Sequence, residues 1–142
     1  MKSRTLTGGI LVTAMMAVGS PALATPPGPG MTATVIRKVT AGGTDWILRE
    51  ITIPPGQATG WHWHSGKVSG LVKQGTLSHF GADCKSDGVY QTGGVIQEES
   101  GPGYVHIGVN RGTVPLILEV LYVQPTGAPF ANDAPNPGCD FQ

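Results

Sequence analysis

Hydrophobic residues in most of the chain occur in short runs that glycine, proline and polar residues interrupt. Several runs, such as DWILREITI at residues 45–53, alternate apolar and polar positions, which places the apolar side chains on one face of a strand. Sustained helical periodicity is absent after the N-terminal segment. Strands are predicted at residues 33–40, 45–53, 60–64, 68–73, 76–80, 93–100, 104–109 and 113–124. The pattern indicates an all-β domain of the sandwich or barrel type.

The N-terminal segment follows a different pattern. Lys2 and Arg4 precede an apolar run at residues 10–18, and small residues then lead to Ala24. This is the layout of a secretory signal peptide, and the apolar run is too short to span a membrane. Residues 1–24 are therefore predicted to be removed by cleavage near Ala24, which gives a secreted or periplasmic protein without a stable membrane anchor.

The remaining chain, residues 25–142, is predicted to form one domain. Its length suits a single small core, which we place at about residues 33–123, followed by a loop-like tail at residues 124–142. A polar loop is predicted at residues 81–88. The chain has 9 Lys and Arg residues against 9 Asp and Glu residues, and no basic cluster suited to nucleic acid.

Both cysteines, Cys84 and Cys139, lie in loop-like sequence. An exported chain meets an oxidising compartment, so these cysteines are predicted to form a disulfide that ties the tail to the middle of the chain. The alternative, a pair of thiolate metal ligands, finds no support in a Cys-x-x-Cys spacing.

Candidate chemistry is concentrated in the stretch GWHWHSGKVSG. On a strand, His62 and His64 share one face, while Trp61 and Trp63 share the other and are expected to pack there. Two imidazoles at this spacing can bind one metal ion if a neighbouring strand supplies a third ligand. His106, in the stretch GYVHIGVN, is the candidate for that ligand.

The region around the paired histidines resembles the first sequence motif of the cupin family. That motif consists of a glycine, five residues, His-x-His, a glutamate and a final glycine. In PGQATGWHWHSGKVSGLVKQGTL, its glycine and histidine positions are occupied by Gly56, His62, His64 and Gly75.

The stretch GPGYVHIGVN resembles the second cupin motif, with Gly103, His106 and Asn110 at the expected spacing. The resemblance covers most of the predicted domain. One departure concerns chemistry, because the glutamate position of the first motif falls on Val68, or on Ser69 with the longer spacing. Neither residue has a carboxylate.

The resemblance implies a small β-barrel or double-sheet jelly roll whose inner face holds His62, His64 and His106 around a divalent metal ion. Iron, manganese, zinc, nickel and copper are all compatible with imidazole ligands. Three neutral imidazoles would leave the charge of the ion uncompensated and coordination positions open. Three-histidine sites occur among the cupin thiol dioxygenases, so the missing glutamate does not exclude a metal.

Other side chains are weaker candidates for the site. Val68 and Tyr104 are candidates to line the pocket, and a core position is an equally good interpretation of Tyr104. His79, in TLSHF, is interpreted as an ordinary strand residue, with a role as fourth ligand as the alternative. Glu98 and Glu99 could supply a carboxylate to the site if their strand bends, but their neighbours give no reason to prefer this, and they are expected to be solvated.

Three functions fit these observations. The first is an exported metal-binding cupin with a three-histidine site which, if it is an enzyme, carries out metal-dependent oxygen chemistry on a small molecule. The second is a non-catalytic module that binds a sugar or an anion in a metal-free pocket. The third is a structural or storage-like cupin. The sequence leaves open whether the protein is an enzyme and whether it forms a homodimer.

Overall fold

The computed structural model describes residues 24–142, so the predicted signal peptide lies outside the described residues except for Ala24. Within the described range, no helix has the length and apolar character needed to cross a bilayer. The strands are β1 (Thr32–Ala41), β2 (Thr44–Ile53), β3 (His62–Trp63), β4 (Lys67–Gln74), β5 (Thr76–Gly81), β6 (Ser86–Gln91), β7 (Val95–Glu98), β8 (His106–Val109), β9 (Leu116–Pro125) and β10 (Asn132–Asp133).

The strands form two five-stranded antiparallel sheets. The first sheet has the order β1-β2-β9-β4-β7, and the second sheet has the order β10-β3-β8-β5-β6. Apart from the consecutive pairs β1-β2 and β5-β6, neighbours in each sheet come from distant parts of the chain, which is the connectivity of a double-sheet jelly roll. The all-β class predicted from the alternating pattern is confirmed.

The main hydrophobic core lies against the inner face of the first sheet. Strands β2, β4 and β9 of this sheet alternate buried and more exposed residues, most regularly in β9, which pairs with both β2 and β4. Leu77 of the second sheet packs into the same core, so the two sheets face each other across it. The buried members are Ile47, Ile51, Ile53, Val68, Val72, Leu77, Ile96, Leu116, Leu118, Val120 and Tyr122.

A second core covers the opposite face of the second sheet. Ile107 and Val109 belong to it, and they alternate along β8 with residues that face the first sheet. The C-terminal tail completes this core, because the ring of Phe141 lies 6.0 Å from the ring of Trp61 and 4.8 Å from that of Phe80. The tail therefore provides apolar packing for the sheet that carries the histidines.

Three local predictions were wrong. The predicted polar loop at residues 81–88 includes the start of β6, and the histidine stretch is a strand only at β3. The tail contains the short strand β10, which pairs with β3. The composition of β6 is unfavourable for a strand, and β3 and β10 pair with strands that are distant in sequence. Tertiary contacts therefore decide whether these residues form strands.

Cys84 and Cys139 form the predicted disulfide, at a sequence separation of 55 residues. The bond anchors the tail next to the second core, since Cys139 itself packs against that core. Closing a loop of this length lowers the entropy of the unfolded chain, which corresponds to about 4 kcal/mol at most.

We expect Cys139→Ser to lower the free energy of unfolding by up to about 4 kcal/mol and to lower the melting temperature. Urea unfolding of the oxidised protein and of the variant measures the difference. Cys84→Ser serves as the matched control, because it removes the same bond and should give the same loss, with no further loss in the double variant. A melting temperature that stays the same after reduction would contradict a stabilising role for the bond.

Candidate metal centre

Two glycines fix the path of the histidine stretch. Gly60 has a φ of 76°, and a Cβ at this position would lie 2.5 Å from the carbonyl oxygen of Thr25. A Cβ on Gly66 would collide with the carbonyl oxygen of Val123. Between these close approaches, Trp61 is fully buried in the second core, as expected of a packing residue. The neighbouring histidines consequently point towards the first sheet.

The structure brings His62, His64 and His106 together. His62 lies directly opposite His106 in the pairing of β3 with β8, and their ring centroids are 4.4 Å apart. The Nε2 atoms of His62 and His64 are 3.2 Å apart. All three side chains are buried, and one ligand atom from each lies within 4.8 Å of the others.

Main-chain carbonyl groups determine which nitrogen of each imidazole faces the cluster. The Nδ1 atoms of the three histidines contact carbonyl oxygens, with Gly60 at 2.9 Å from His62, Phe130 at 2.7 Å from His64, and Tyr104 at 2.9 Å from His106. Because a carbonyl oxygen only accepts, each Nδ1 must carry the proton and donate. In the neutral rings, each Nε2 therefore presents a lone pair to the cluster.

Glu98 supplies the carboxylate that is missing from the glutamate position of the motif in this chain. Its Oε2 atom lies 3.1 Å from Nε2 of His64 and 3.4 Å from Nε2 of His106, and its side chain is only 12% exposed. The expectation that Glu98 is solvated was wrong. Glu98 pairs directly with Val68, the position where the cupin motif has its glutamate, so the carboxylate comes from the adjacent strand β7.

The alternation within β7 gave a signal for this placement. Ile96 is buried in the main core, and Glu98 is two residues later on the same face of the strand. Glu99 points outward and forms an exposed ion pair with Lys67 at 3.2 Å. The expectation of a solvated side chain was therefore correct for Glu99 alone.

His79 also has a more specific place than an ordinary strand residue. Its side chain is 1% exposed, and its Nδ1 atom lies 2.6 Å from Oδ1 of Asp87. On the other side of the ring, Nε2 lies 3.4 Å from Oε1 of Glu98, which is an ion-pair distance rather than a well-formed hydrogen bond. Asp87, His79 and Glu98 thus form a continuous polar chain from the surface to the histidine cluster.

Burial and neighbouring charges shift the protonation of these groups. Burial, followed by the proximity of His106 and His64, lowers the pKa of His62 from 6.5 to about 3. Burial by itself raises the pKa of Glu98, but contacts with the surrounding histidines outweigh it and hold this pKa well below 4.5. Burial lowers the pKa of His79, and its contacts with Glu98 and Asp87 raise it by more, to above 6.5.

In the cluster, the Nε2 lone pairs of the histidines and the carboxylate of Glu98 therefore face one another in the protein interior. Nε2 of His106 and Nε2 of His79 are buried and lack a hydrogen-bond partner in residues 24–142. Converging acceptors repel one another unless a proton or a cation lies between them. Two nitrogens bound tetrahedrally to one zinc ion would lie roughly 3.3 Å apart, close to the 3.2 Å between His62 and His64. The donor set therefore fits a divalent metal.

A small cavity of about 50 Å³ adjoins the cluster. His62, His64, His79 and Glu98 provide its polar wall. Its apolar wall includes Ile51, Val68, Leu77, Ile96, Leu118 and Val120. Val68 therefore lines the pocket, as expected. Tyr104 is not one of the described residues that line it. Tyr104 contributes its carbonyl group to His106 instead.

No protein-family model and no curated protein matches the sequence. Solved structures do match. A conserved protein with a double-stranded β-helix domain from Klebsiella pneumoniae is 21% identical, with 77% of this chain and 84% of that one covered and a TM-score of 0.57. A cupin superfamily protein from Desulfitobacterium hafniense is 9% identical, with 68% and 80% covered and a TM-score of 0.54. A cupin domain from Bordetella pertussis is 18% identical, with 75% and 99% covered and a TM-score of 0.52.

These identities are low, so the likeness concerns the fold and not the activity. It agrees with the two facing antiparallel sheets and with the histidines on their inner side. The sequence resemblance is confirmed at the level of architecture: this chain has the cupin fold, a double-stranded β-helix with a histidine cluster inside it.

Proposed function

We propose that this chain is an exported cupin-fold protein in which His62, His64 and His106 bind one divalent metal ion. The convergence of three Nε2 lone pairs carries the proposal, because the carbonyl contacts at each Nδ1 leave those lone pairs available. The low pKa of His62 supports it further, since a ligand that is neutral down to pH about 3 need not lose a proton to bind metal.

Glu98 is the fourth ligand or the nearest counter-charge in this proposal. Its Oε2 atom is within 3.4 Å of both His64 and His106, so its negative charge lies where a bound cation would be. Imidazole and carboxylate donors suit iron, manganese, zinc, nickel and copper. The contact of His79 with Oε1 restrains the carboxylate and leaves Oε2 directed at the cluster.

Metal-dependent oxygen chemistry on a small molecule is the reaction class we favour. When bound, a divalent ion at such a site supplies Lewis-acid or redox chemistry. The protein contributes a small cavity whose largely apolar wall limits water around the cluster. It also contributes fixed imidazole tautomers, which require no reorganisation before a ligand binds.

A metal-free binding pocket is the second candidate. One proton shared between Glu98 and His64 would satisfy the 3.1 Å contact without a metal, and the cavity would remain for a small ligand. Metal measurements separate the two candidates directly.

Export is part of the proposal for both candidates. The layout of residues 1–24 predicts a signal peptide, and the bond between Cys84 and Cys139 suits an oxidising compartment. The partner in this proposal is a small molecule and not nucleic acid, and a homodimer stays an open possibility.

The mature protein should bind about one equivalent of a divalent metal, and His106→Ala should weaken that binding by about 100-fold or more. Titration of chelator-treated protein with Mn²⁺, Fe²⁺, Ni²⁺, Cu²⁺ and Zn²⁺, followed by metal analysis, tests this. Ile96→Val is the control, because it alters the same cavity without removing a ligand. Normal affinity in His106→Ala would exclude the three-histidine site, and no binding of any of the five ions by the wild type would favour the metal-free pocket.

Glu98→Gln should weaken metal binding by about tenfold or more, because it keeps the shape of the side chain and removes its charge. The adjacent Glu99→Gln removes an equal charge from an exposed position and should leave the affinity unchanged. Parallel metal titrations of the two variants make the comparison. Equal affinities would show that Glu98 has no electrostatic role at the site.

The metal-free protein should lose stability as the pH falls below 6.5. A neutral imidazole with a folded-state pKa of about 3 takes up a proton on unfolding throughout that range, so acid favours the unfolded chain. Each unit of pKa shift corresponds to about 1.4 kcal/mol, which gives a loss of a few kcal/mol between pH 7 and pH 4. Urea unfolding at the two pH values measures it.

The variant His62→Gln should show a smaller loss over the same pH interval, since it lacks the titrating ring. His79→Gln is the informative counterpart. The raised pKa of His79 stabilises the fold at low pH, so its removal should make the acid-induced loss larger. Identical pH dependence in the wild type and His62→Gln would contradict the lowered pKa.

A further inference from the structure

Arg49 occupies a position that an arginine does not ordinarily take. Along β2, buried residues alternate with more exposed ones, and Arg49 lies on the inner face between Ile47 and Ile51, which are 3% and 8% exposed. Its Cα partner in β9 is Val120, which is also buried. A permanent positive charge on an apolar face destabilises a fold unless an anion compensates for it.

Aromatic rings hold the guanidinium group but do not compensate for its charge. The Cζ atom of Arg49 lies 3.7 Å from the ring centroid of Phe130 and 5.8 Å from that of Tyr122. Stacking of this kind fixes the plane of the group and leaves its N–H donors free for other partners. The Nε atom is buried and has no hydrogen-bond partner among residues 24–142.

No carboxylate of the described chain compensates for this charge. Lys38, Lys67, Lys73 and Lys85 each have an acidic partner within 4.0 Å in residues 24–142. The three arginines of this range have none there, and Arg49 is the one among them that is not exposed to solvent. An inward-facing cation, held by aromatic rings and lacking an internal anionic partner, is the arrangement expected of a binding group for an external anion.

The position of Arg49 connects it to the histidine cluster. Arg49, His62, His64, Tyr122 and Phe130 line one cleft. The ring of Tyr122 lies 5.7 Å from that of His64 on one side and 5.3 Å from that of Phe130 on the other. A ligand in the cleft can therefore approach the guanidinium group at one end and the imidazoles at the other.

We propose that Arg49 binds the carboxylate of a small organic acid whose other end reaches His62 and His64. The inference rests on the proposed function, because it names the ligand class of the same pocket. A planar guanidinium group matches a carboxylate in geometry and in charge. Asp133 lines the same cleft and would oppose a more highly charged anion, so a monocarboxylate is preferred over a phosphate dianion.

The test uses metal-free mature protein, so that its outcome does not depend on the metal site. Acetate, propionate and benzoate are each compared with the corresponding primary amide by NMR titration, with the resonances of the cleft residues as the readout. Each amide has nearly the shape of its acid and lacks the charge. The carboxylates should bind at least about tenfold more tightly than their amides, and they should shift the Arg49 side-chain resonances.

Arg49→Gln should remove this preference for the charged member of each pair. Arg49→Lys should retain part of it, because the charge stays while the planar group is lost. Arg37→Gln is the matched control, since Arg37 is an exposed arginine on β1 and its removal should leave the preference unchanged. If Arg49→Gln does not fold, the wild-type comparison and Arg49→Lys decide the question.

Two results would overturn the inference. One is equal binding of carboxylates and amides by the wild type, and the other is full carboxylate preference in a folded Arg49→Gln variant.

Metal binding is measured separately in the same variants. Arg49→Gln should retain the metal affinity of the wild type, so failure of the carboxylate site leaves the metal site intact. Carboxylate binding that depends on Arg49 in a protein without metal affinity would refute only the proposed metal site.

Discussion

Four acceptor atoms converge in the interior of this protein, and the rest of the site depends on how their repulsion is relieved. They are the Nε2 atoms of His62, His64 and His106 and the Oε2 atom of Glu98. Lone pairs at these separations require a positive charge among them, either a shared proton or a metal ion. Main-chain carbonyl groups prevent the rings from avoiding the conflict, because they hold every Nδ1 as a donor.

The second core keeps this arrangement in place. Trp61 packs on the outer face of the second sheet, where Phe141 and the disulfide at Cys139 cover it. Trp61 directly precedes β3, so its fixed position also fixes the start of that strand, and the adjacent histidines then have little freedom to rotate away. The tail therefore acts on the site through packing, although it is remote from the imidazoles in sequence. Preorganisation of this kind favours tight and specific binding of an ion.

The buried and partly buried charged groups lie on both sides of the histidine cluster. Asp87 and His79 lead from the surface to Glu98 and the histidine cluster, and Arg49 lies in the cleft on the other side of the paired histidines. A buried charge without a compensating partner destabilises a fold, and Arg49 has no acidic partner within 4.0 Å in the described chain. The proposed carboxylate ligand supplies one.

The sequence by itself determined the all-β class, because alternation is a local property of the chain, and the disulfide, because an exported chain has only two cysteines to pair. The grouping of His106 with His62 and His64 was predicted through the resemblance to the cupin motifs, since local spacing alone does not bring distant residues together. Only the tertiary structure decided the position of Glu98, since a carboxylate missing at Val68 is replaced from the strand paired with it. The same is true of His79 and of Arg49, whose roles depend on what lies opposite each strand. Sequence alternation tells which residues face inward, and the pairing of strands tells which residues they meet there.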